Sequence, residues 1–348
     1  MKQVLLQFAD SFQEHREDLS ALLLTDDKYL WLGSDETSTI ERLSFIEEGK
    51  FAQHKQFNIV DFIDLPAKKE EEIDIEGIDF HNHYLWFIGS HSSKRKKVKP
   101  DKTDAQNIER LAKIVAEQNR FIIGRIPLIN GELVKEAKNP DNPSLMLNAA
   151  KLQLTLKGNL LMEALADDPH IGLFIQAGIP GKDNGFDIEG IAVYQDKIFL
   201  GLRGPVLRGW AMMLEIEMEA YSPRLLTLKQ ITPDNKRYKK HFIKLNGLGI
   251  RDLRVVGEDL LFLAGPTMDL DGPAQLYRLQ NGAHLQDNIL HQPELVMDIP
   301  YGKGDDRAEG ITMFEKITDS PSILVAYDSP AKHRLIGLGG IMADILAY

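Results

Sequence analysis

The stretch Asp187-Ile188-Glu189-Gly190-Ile191-Ala192-Val193 is followed, after a polar turn, by Lys197-Ile198-Phe199-Leu200-Gly201-Leu202-Arg203. Both runs are short and rich in Ile, Leu, Val and Phe, and both read as β-strands joined by a tight turn. The same design recurs as Asp74-Ile75-Glu76-Gly77-Ile78-Asp79-Phe80, then Tyr84-Leu85-Trp86-Phe87-Ile88-Gly89-Ser90. It recurs again as Ala308-Glu309-Gly310-Ile311-Thr312-Met313, then Ile323-Leu324-Val325-Ala326-Tyr327-Asp328. Two weaker copies begin at Asp18-Leu19-Ser20 and at Ile250-Arg251-Asp252. The key positions are 20, 76, 189, 252 and 309, at intervals of 56, 113, 63 and 57 residues. A fixed period of this length is the mark of a repeat architecture.

Working outward, third and fourth strands follow the pair in several units. Trp210–Ile216 and Leu225–Leu228 serve the unit at Asp187, and Gln275–Leu279 and Glu294–Ile299 the unit at Arg251. Four antiparallel strands repeated radially make a propeller blade. The chain is therefore expected to be an all-β propeller, one domain over 1–348. The 113-residue interval is nearly two periods, which predicts six blades with a decayed third copy. Five blades with a helix-containing insertion at 92–170 is the alternative. Within that region Ile108, Leu111, Ile114 and Val115 suggest a helix over 103–118 outside the blades, capped by Thr103. A second helix is expected over Leu160–Ala166 with Asn159 as cap, and Ile129-Asn130-Gly131-Glu132 is a hairpin signal. The glycine after each acidic residue suits an innermost strand, where backbones converge and a Cβ would intrude. Trp31 and Trp86 fall at nearly matching repeat positions and are expected in the core.

The balance of 52 acidic against 41 basic residues gives a net charge of −11. That charge repels nucleic-acid backbones and anionic membrane surfaces, so neither is an expected partner. Cysteine is absent, which excludes disulfides, thiolate metal sites and cysteine nucleophiles. The apolar run before Asp10 is too short for a secretory leader, and no stretch approaches the 18 or so apolar residues of a membrane span. A cytoplasmic location is the expectation.

The repeat also predicts which residues meet. If Glu76, Glu189, Asp252 and Glu309 each start an innermost strand, their carboxylates converge at one mouth of the central channel. The antiparallel return brings Ser34-Asp35-Glu36, Ser90-His91, Arg203-Gly204-Pro205, Gly265-Pro266-Thr267 and Asp328-Ser329-Pro330 to the same mouth. Converging carboxylates need a cation, arginine partners or protons. Oxygen ligands suit Ca²⁺ or Mg²⁺, while Arg203, Arg251 and Arg307 are near enough in sequence to neutralise the ring without metal. No other cofactor is indicated. The loop Gly181-Lys182-Asp183-Asn184-Gly185, echoed by Tyr301-Gly302-Lys303-Gly304, offers polar contacts over the channel. Lys182, Asn184, Arg203, Arg251, Arg307 and Asp328 are the candidate ligand contacts, and His91 and Asp183 the candidate bases. The plainer reading makes each ring carboxylate a bracket for backbone N–H groups of the next blade. His81 and His83 lie in a turn on the opposite face and read as inert turn residues, with metal binding the alternative; Lys94-Arg95-Lys96-Lys97-Val98-Lys99 reads as a solvated loop, with an anionic partner the alternative.

The Gly181–Gly190 segment and the other Glu-Gly-Ile copies resemble an uncharacterised bacterial domain-of-unknown-function family grouped with β-propellers. That resemblance implies the fold and no activity. The Asp-x-Glu-Gly strand start is also similar to that of esterase-like phytase propellers, and this resemblance implies phosphatase chemistry. Ser20 and Asp252 depart from that pattern. Two functions stay open: a metal-dependent hydrolase of phosphate or carboxylic esters, and a non-catalytic module for a small ligand or a protein.

Overall fold

The computed structural model describes residues 2–26, 28–68, 71–314 and 320–348. Five four-stranded sheets are traced among them. The first runs from the inside outward through Leu19–Thr25, Tyr29–Ser34, Thr39–Glu47 and Lys50–Asn58. The second comprises Ile75–His81, Tyr84–Gly89, Ile123–Ile129 and Ala150–Leu152. Asp187–Tyr194, Lys197–Gly204, Trp210–Ser222 and Lys239–Lys244 form the third. The fourth holds Gly249–Val256, Asp259–Gly265, Ala274–Leu279 and Glu294–Ile299. The fifth takes Arg307–Met313, Ser322–Asp328, Gly340–Ala347 and, as its outermost strand, the N-terminal Lys2–Gln7. The first strands pack against one another in cyclic order, blade one against two, two against three, and so on back to one. This is a β-propeller whose ring is closed by strand exchange between the chain ends.

Each blade forms because its strands are apolar on both faces, so they bury against a neighbour on either side. Four of the five inner strands have a small residue at one matched position: Ala21, Gly77, Gly190 and Gly310. A Cβ on Gly77 would lie 2.8 Å from the Ile191 nitrogen of the next blade. Closeness of backbones near the axis is thus what the repeated glycine permits.

The decayed third copy expected from the period is not a separate blade. Ile123–Ile129 and Ala150–Leu152 are the outer half of the second blade, separated from its inner half by an excursion over residues 90–122. Lys94–Arg95 pairs with Ile114–Val115 to make the stem of a flap, and the helix Asp104–Leu111 forms its tip. Thr103 and Gln106 complete a reciprocal capping box. The helix lies outside the blades, as expected, but ends at Leu111 because the chain turns back into strand pairing. Its apolar side does not reach a core: Ile108 is 69% exposed and Leu111 44%. The second helix spans Leu160–Leu165 with Asn159 capping Leu161 and Met162, and the Asn130-Gly131 hairpin is present. Leu225–Leu228 pairs with the far half of Trp210–Ser222 and runs parallel to Ala150–Leu152. It ties blades two and three together, and Lys239–Lys244 takes the outer place expected of it.

The axis itself is plugged. Arg254 is 4% exposed, and its guanidinium donates to carbonyls of four other blades. The bonds reach Ile311 at 2.7 Å, Ile78 at 2.8 Å, Leu22 at 2.5 Å and Ile191 at 3.4 Å. Asp252 supplies the counter-charge at 3.0 Å. A planar group with five donors in fixed directions suits a ring of converging carbonyls. The plug closes the channel, so the mouth above it is a closed-bottomed bowl.

Candidate functional site

The inner strands share a β-bulge one or two residues from the start. Register shifts fall between Leu19 and Ala21, Ile75 and Gly77, Ile188 and Gly190, Ile250 and Asp252, and Ala308 and Gly310. The residue inside each bulge is therefore the structural equivalent: Ser20, Glu76, Glu189, Arg251 and Glu309. A bulge leaves its extra residue unpaired and re-aims its side chain. This corrects the expected fourth ring member. Asp252 sits one position deeper, where its carboxylate accepts from the Leu253 N–H at 2.8 Å and from the Ile311 N–H of the fifth blade at 2.9 Å. With Arg254 beside it as well, Asp252 is a bracket between blades and not a partner of the glutamates.

Arg251 changes the chemistry of the ring. Its Nε lies 3.0 Å from Glu189 on one side, and its other end is closely paired with Glu309 on the other. Arg203 adds a 2.6 Å bond to Glu189. Arg203 and Arg251 thus supply cationic partners for these two carboxylates. Ser20 donates to the Ile75 carbonyl. Glu76 makes no direct ion pair among the described residues, though the charges of Arg120, Arg203 and Arg251 reach it: burial, then Asp74, Glu189, Asp187 and Asp35, hold its carboxyl well above the usual range.

Two residues before each bulge stands an outer ring of Asp18, Asp74, Asp187, Gly249 and Arg307. Burial raises Asp187 to about 7, reinforced by Glu189, and Asp18 to about 6, reinforced by Glu36. Asp74 is also raised by burial, although Arg120 lies 2.6 Å from it. Asp35, from the end of a second strand, is pushed up by burial and by Asp74. One carboxylate oxygen of Asp187 and one of Asp35 are buried without a hydrogen-bond partner. The mouth is thus divided by blade. Blades one to three present excess acid, and blades four and five add Arg251 and Arg307 beside Glu309 and Asp328.

Over the acidic half opens a cleft of about 960 Å³. Asp35, Asp74, Glu76 and Asp187 form its floor, and Lys94 to Lys99 of the flap line its wall. Lys94 is held by Glu72 and Glu117 at 2.6 and 2.9 Å. Asp183 is on the rim, paired with Arg95 at 2.7 Å, so it anchors the flap. Lys182 lines both this cleft and a smaller hollow bounded by Arg203, Arg251, Arg307 and Glu309. Arg307 is paired with Asp269 at 2.9 Å. Asp328 is buried on the acidic side and adds its charge to Asp18 and Asp35. Asn184 is a loop pin: it adopts φ 62° and its side chain accepts from the Val206 N–H at 3.1 Å.

His91 is buried beneath this floor instead of lining it. Its Nδ1 donates to the Gly89 carbonyl at 2.7 Å, and Nε2 accepts from Asn159 at 2.7 Å. Burial lowers its pKa to about 4, and the neutral ring with both nitrogens engaged braces the flap's base. His83 pairs with Asp141 at 2.8 Å. Among the described residues no three His, Asp or Glu side chains stand close enough to enclose a metal ion as they are.

Asp35 lies at the mouth as expected; the residues missed from sequence are Asp74, Asp187 and Arg120. Two of them had a signal: Asp-x-Glu in an extended strand puts both carboxylates on one side. Arg120 had none, because it arrives from a 3-10 turn, Gln118–Phe121, at the end of the insertion.

A family described as "Protein of unknown function (DUF3616)" matches residues 18–344. No curated protein matches the sequence. Among solved structures, virginiamycin B lyase from Staphylococcus aureus is 11% identical with a TM-score of 0.37, covering 98% of each chain. An exo-1,5-alpha-L-arabinanase from a bovine ruminal metagenomic library is 9% identical at 0.39, covering 94% of this chain and 92% of that one. A putative oxidoreductase (glucose dehydrogenase) from Thermus thermophilus is 12% identical at 0.38, covering 99% and 100%. At these scores the propeller assignment rests on the strand pairing described above.

Proposed function

From the premise that the chain belongs to the DUF3616 family of unknown function, we propose that the cleft is the active site of a hydrolase, which binds a divalent cation and an anionic ester together. The observation that carries this is the unbalanced floor. Glu76 makes no direct ion pair among the described residues, although the charges of Arg120, Arg203 and Arg251 reach it, and one buried oxygen each of Asp35 and Asp187 lacks a hydrogen bond. At an effective dielectric of about 20, two like charges about 6 Å apart repel by roughly 3 kcal/mol. A hard cation with oxygen ligands, Mg²⁺ or Ca²⁺, removes that cost by drawing Asp35, Glu76 and Asp187 inward.

The flap wall supplies the second half. Lys96, Lys97 and Lys99 line the cleft opposite the floor, and Lys182 stands between. Such an arrangement holds an anionic group, phosphate or carboxylate, against a cation on the floor. Without the cation, burial holds Asp187 at about 7, so uptake of the ion by this floor displaces a proton. Glu189, Glu309, Arg203 and Arg251 then serve as a rigid electrostatic frame. Asp183 keeps the flap in place through Arg95.

The test is a calorimetric titration with Mg²⁺ and Ca²⁺ at pH 8, coupled to an aryl phosphate and aryl ester screen. Cation uptake lost in Glu76→Gln, with cation-dependent turnover, supports the reading. Wild-type protein that takes up neither ion at millimolar concentration overturns it. Uptake without turnover of any ester returns the cleft to a binding role.

A further inference from the structure

Away from the mouth, between the third and fourth blades, two imidazoles meet inside the protein. His241 lies on the outer strand of the third blade, 1% exposed, and His291 on the short strand Leu290–His291, 9% exposed. The two strands run parallel, with Ile243 opposite His291. Their ring centroids are 5.7 Å apart at 60°. Nδ1 of His241 and Nε2 of His291 are buried, and neither has a hydrogen-bond partner.

The far side of each ring fixes which nitrogen carries the proton. Nε2 of His241 donates to Glu215 at 3.0 Å, and Glu215 is held in turn by Lys239 at 3.1 Å. His291 bonds the backbone of Gln286 through its other nitrogen. Each of the two imidazoles in ring contact thus has one buried nitrogen without a hydrogen-bond partner. Each ring is oriented by an acceptor behind it, which is the outer-shell pattern of metal-binding histidine. Met213 is paired with His241 across the strand, so the surroundings are thioether and hydrocarbon without any carboxylate free to join.

We propose that His241 and His291 bind a single Cu(I) ion in two-coordinate fashion. Imidazole suits copper, and a closed-shell monovalent ion accepts two nearly opposed nitrogens without further ligands. Zn²⁺ asks for four ligands and Mg²⁺ or Ca²⁺ for oxygens, neither of which this place offers. The two unpartnered nitrogens belong to rings whose centroids are 5.7 Å apart, a span that one two-coordinate ion can bridge.

The experiment is an anaerobic titration of untagged protein with Cu(I) against a chromophoric Cu(I) chelator. One equivalent is expected to be withdrawn from the chelator, with an X-ray absorption edge of two-coordinate Cu(I). His291→Phe, which keeps His241 bonded to Glu215, is expected to weaken uptake about 100-fold while thermal unfolding stays cooperative. A crystal of the metal-free protein soaked with Ag(I) gives a second measurement that does not depend on the variant. Uptake unchanged in His291→Phe, or silver found only elsewhere on the molecule, overturns the proposal. So does a protein that takes up no Cu(I).

Discussion

Asp187 and Arg254 show how single residues set the character of the bowl. The folded-state pKa of Asp187, about 7, lies above its unfolded value of 3.8. The folded chain therefore keeps a proton that the unfolded chain releases between pH about 4 and 7. The stability tied to that proton is complete below this window and is lost as pH rises through it. We predict that Asp187→Asn melts higher than wild type at pH 8 and equally at pH 4, by calorimetry; a variant less stable at pH 8 would contradict the buried unpaired oxygen. Arg254 is the opposite case, a charge whose every neighbour accepts from it. Arg254→Met should lower stability by about 3–5 kcal/mol in chemical denaturation, because four carbonyls and the Asp252 carboxylate lose their donor together. A loss under about 1 kcal/mol, the net worth of a single hydrogen bond, would mean that water replaces the plug.

Among the elements, the flap is the one whose composition is unlike the rest of the chain. A body with net charge −11 concentrates Lys94, Arg95, Lys96, Lys97 and Lys99 on one wall. The stem is locked by Lys94 to Glu72 and Glu117 and by Arg95 to Asp183, which leaves Lys96 and Lys97 to face the cleft. Lys96→Ala with Lys97→Ala is therefore expected to weaken pyrophosphate binding at least about fivefold at low salt while leaving the melting temperature within about 1 °C. The salt dependence of binding should flatten in the same variant. Equal affinity in the two proteins would remove the wall from the site. The inner strands carry the other element-scale lesson: a bulge, invisible to pattern matching, decides whether residue 251 or 252 faces the mouth. Expecting Asp252 there followed from counting residues to the glycine. The backbone counts one fewer, so an arginine takes the place of an acid.

For the whole molecule, closure of the ring is the decisive event. Lys2–Gln7 completes the fifth blade against Gly340–Ala347 with six paired residues, and Leu5 and Leu6 reach Lys50 and Phe51 of the first blade. Removing residues 2–7 is predicted to lower the melting temperature by more than about 10 °C and to raise amide exchange in Gly340–Ala347 before the third blade is affected. Uniform exchange throughout would show that the strand is not the clasp. The repeat, the apolar strands and the polar turns follow from sequence because periodicity and side-chain hydrophobicity are local properties. The same is true of the convergence of Glu76, Glu189 and Glu309 toward one mouth. The count of blades was not local: a 113-residue interval is equally an extra unit or an insertion until strand pairing assigns Ile123–Ile129 to the second blade. Nor was the charge balance of the bowl. His91, legible as a base, is neutral and engaged on both sides because burial removes the water that would charge it. Sequence placed the acids at the mouth. Only the tertiary structure, by bringing Arg203 and Arg251 into direct contact with Glu189 and Glu309 and not with Glu76, decided how their charges are compensated, because the Arg251 pairings join residues from different blades.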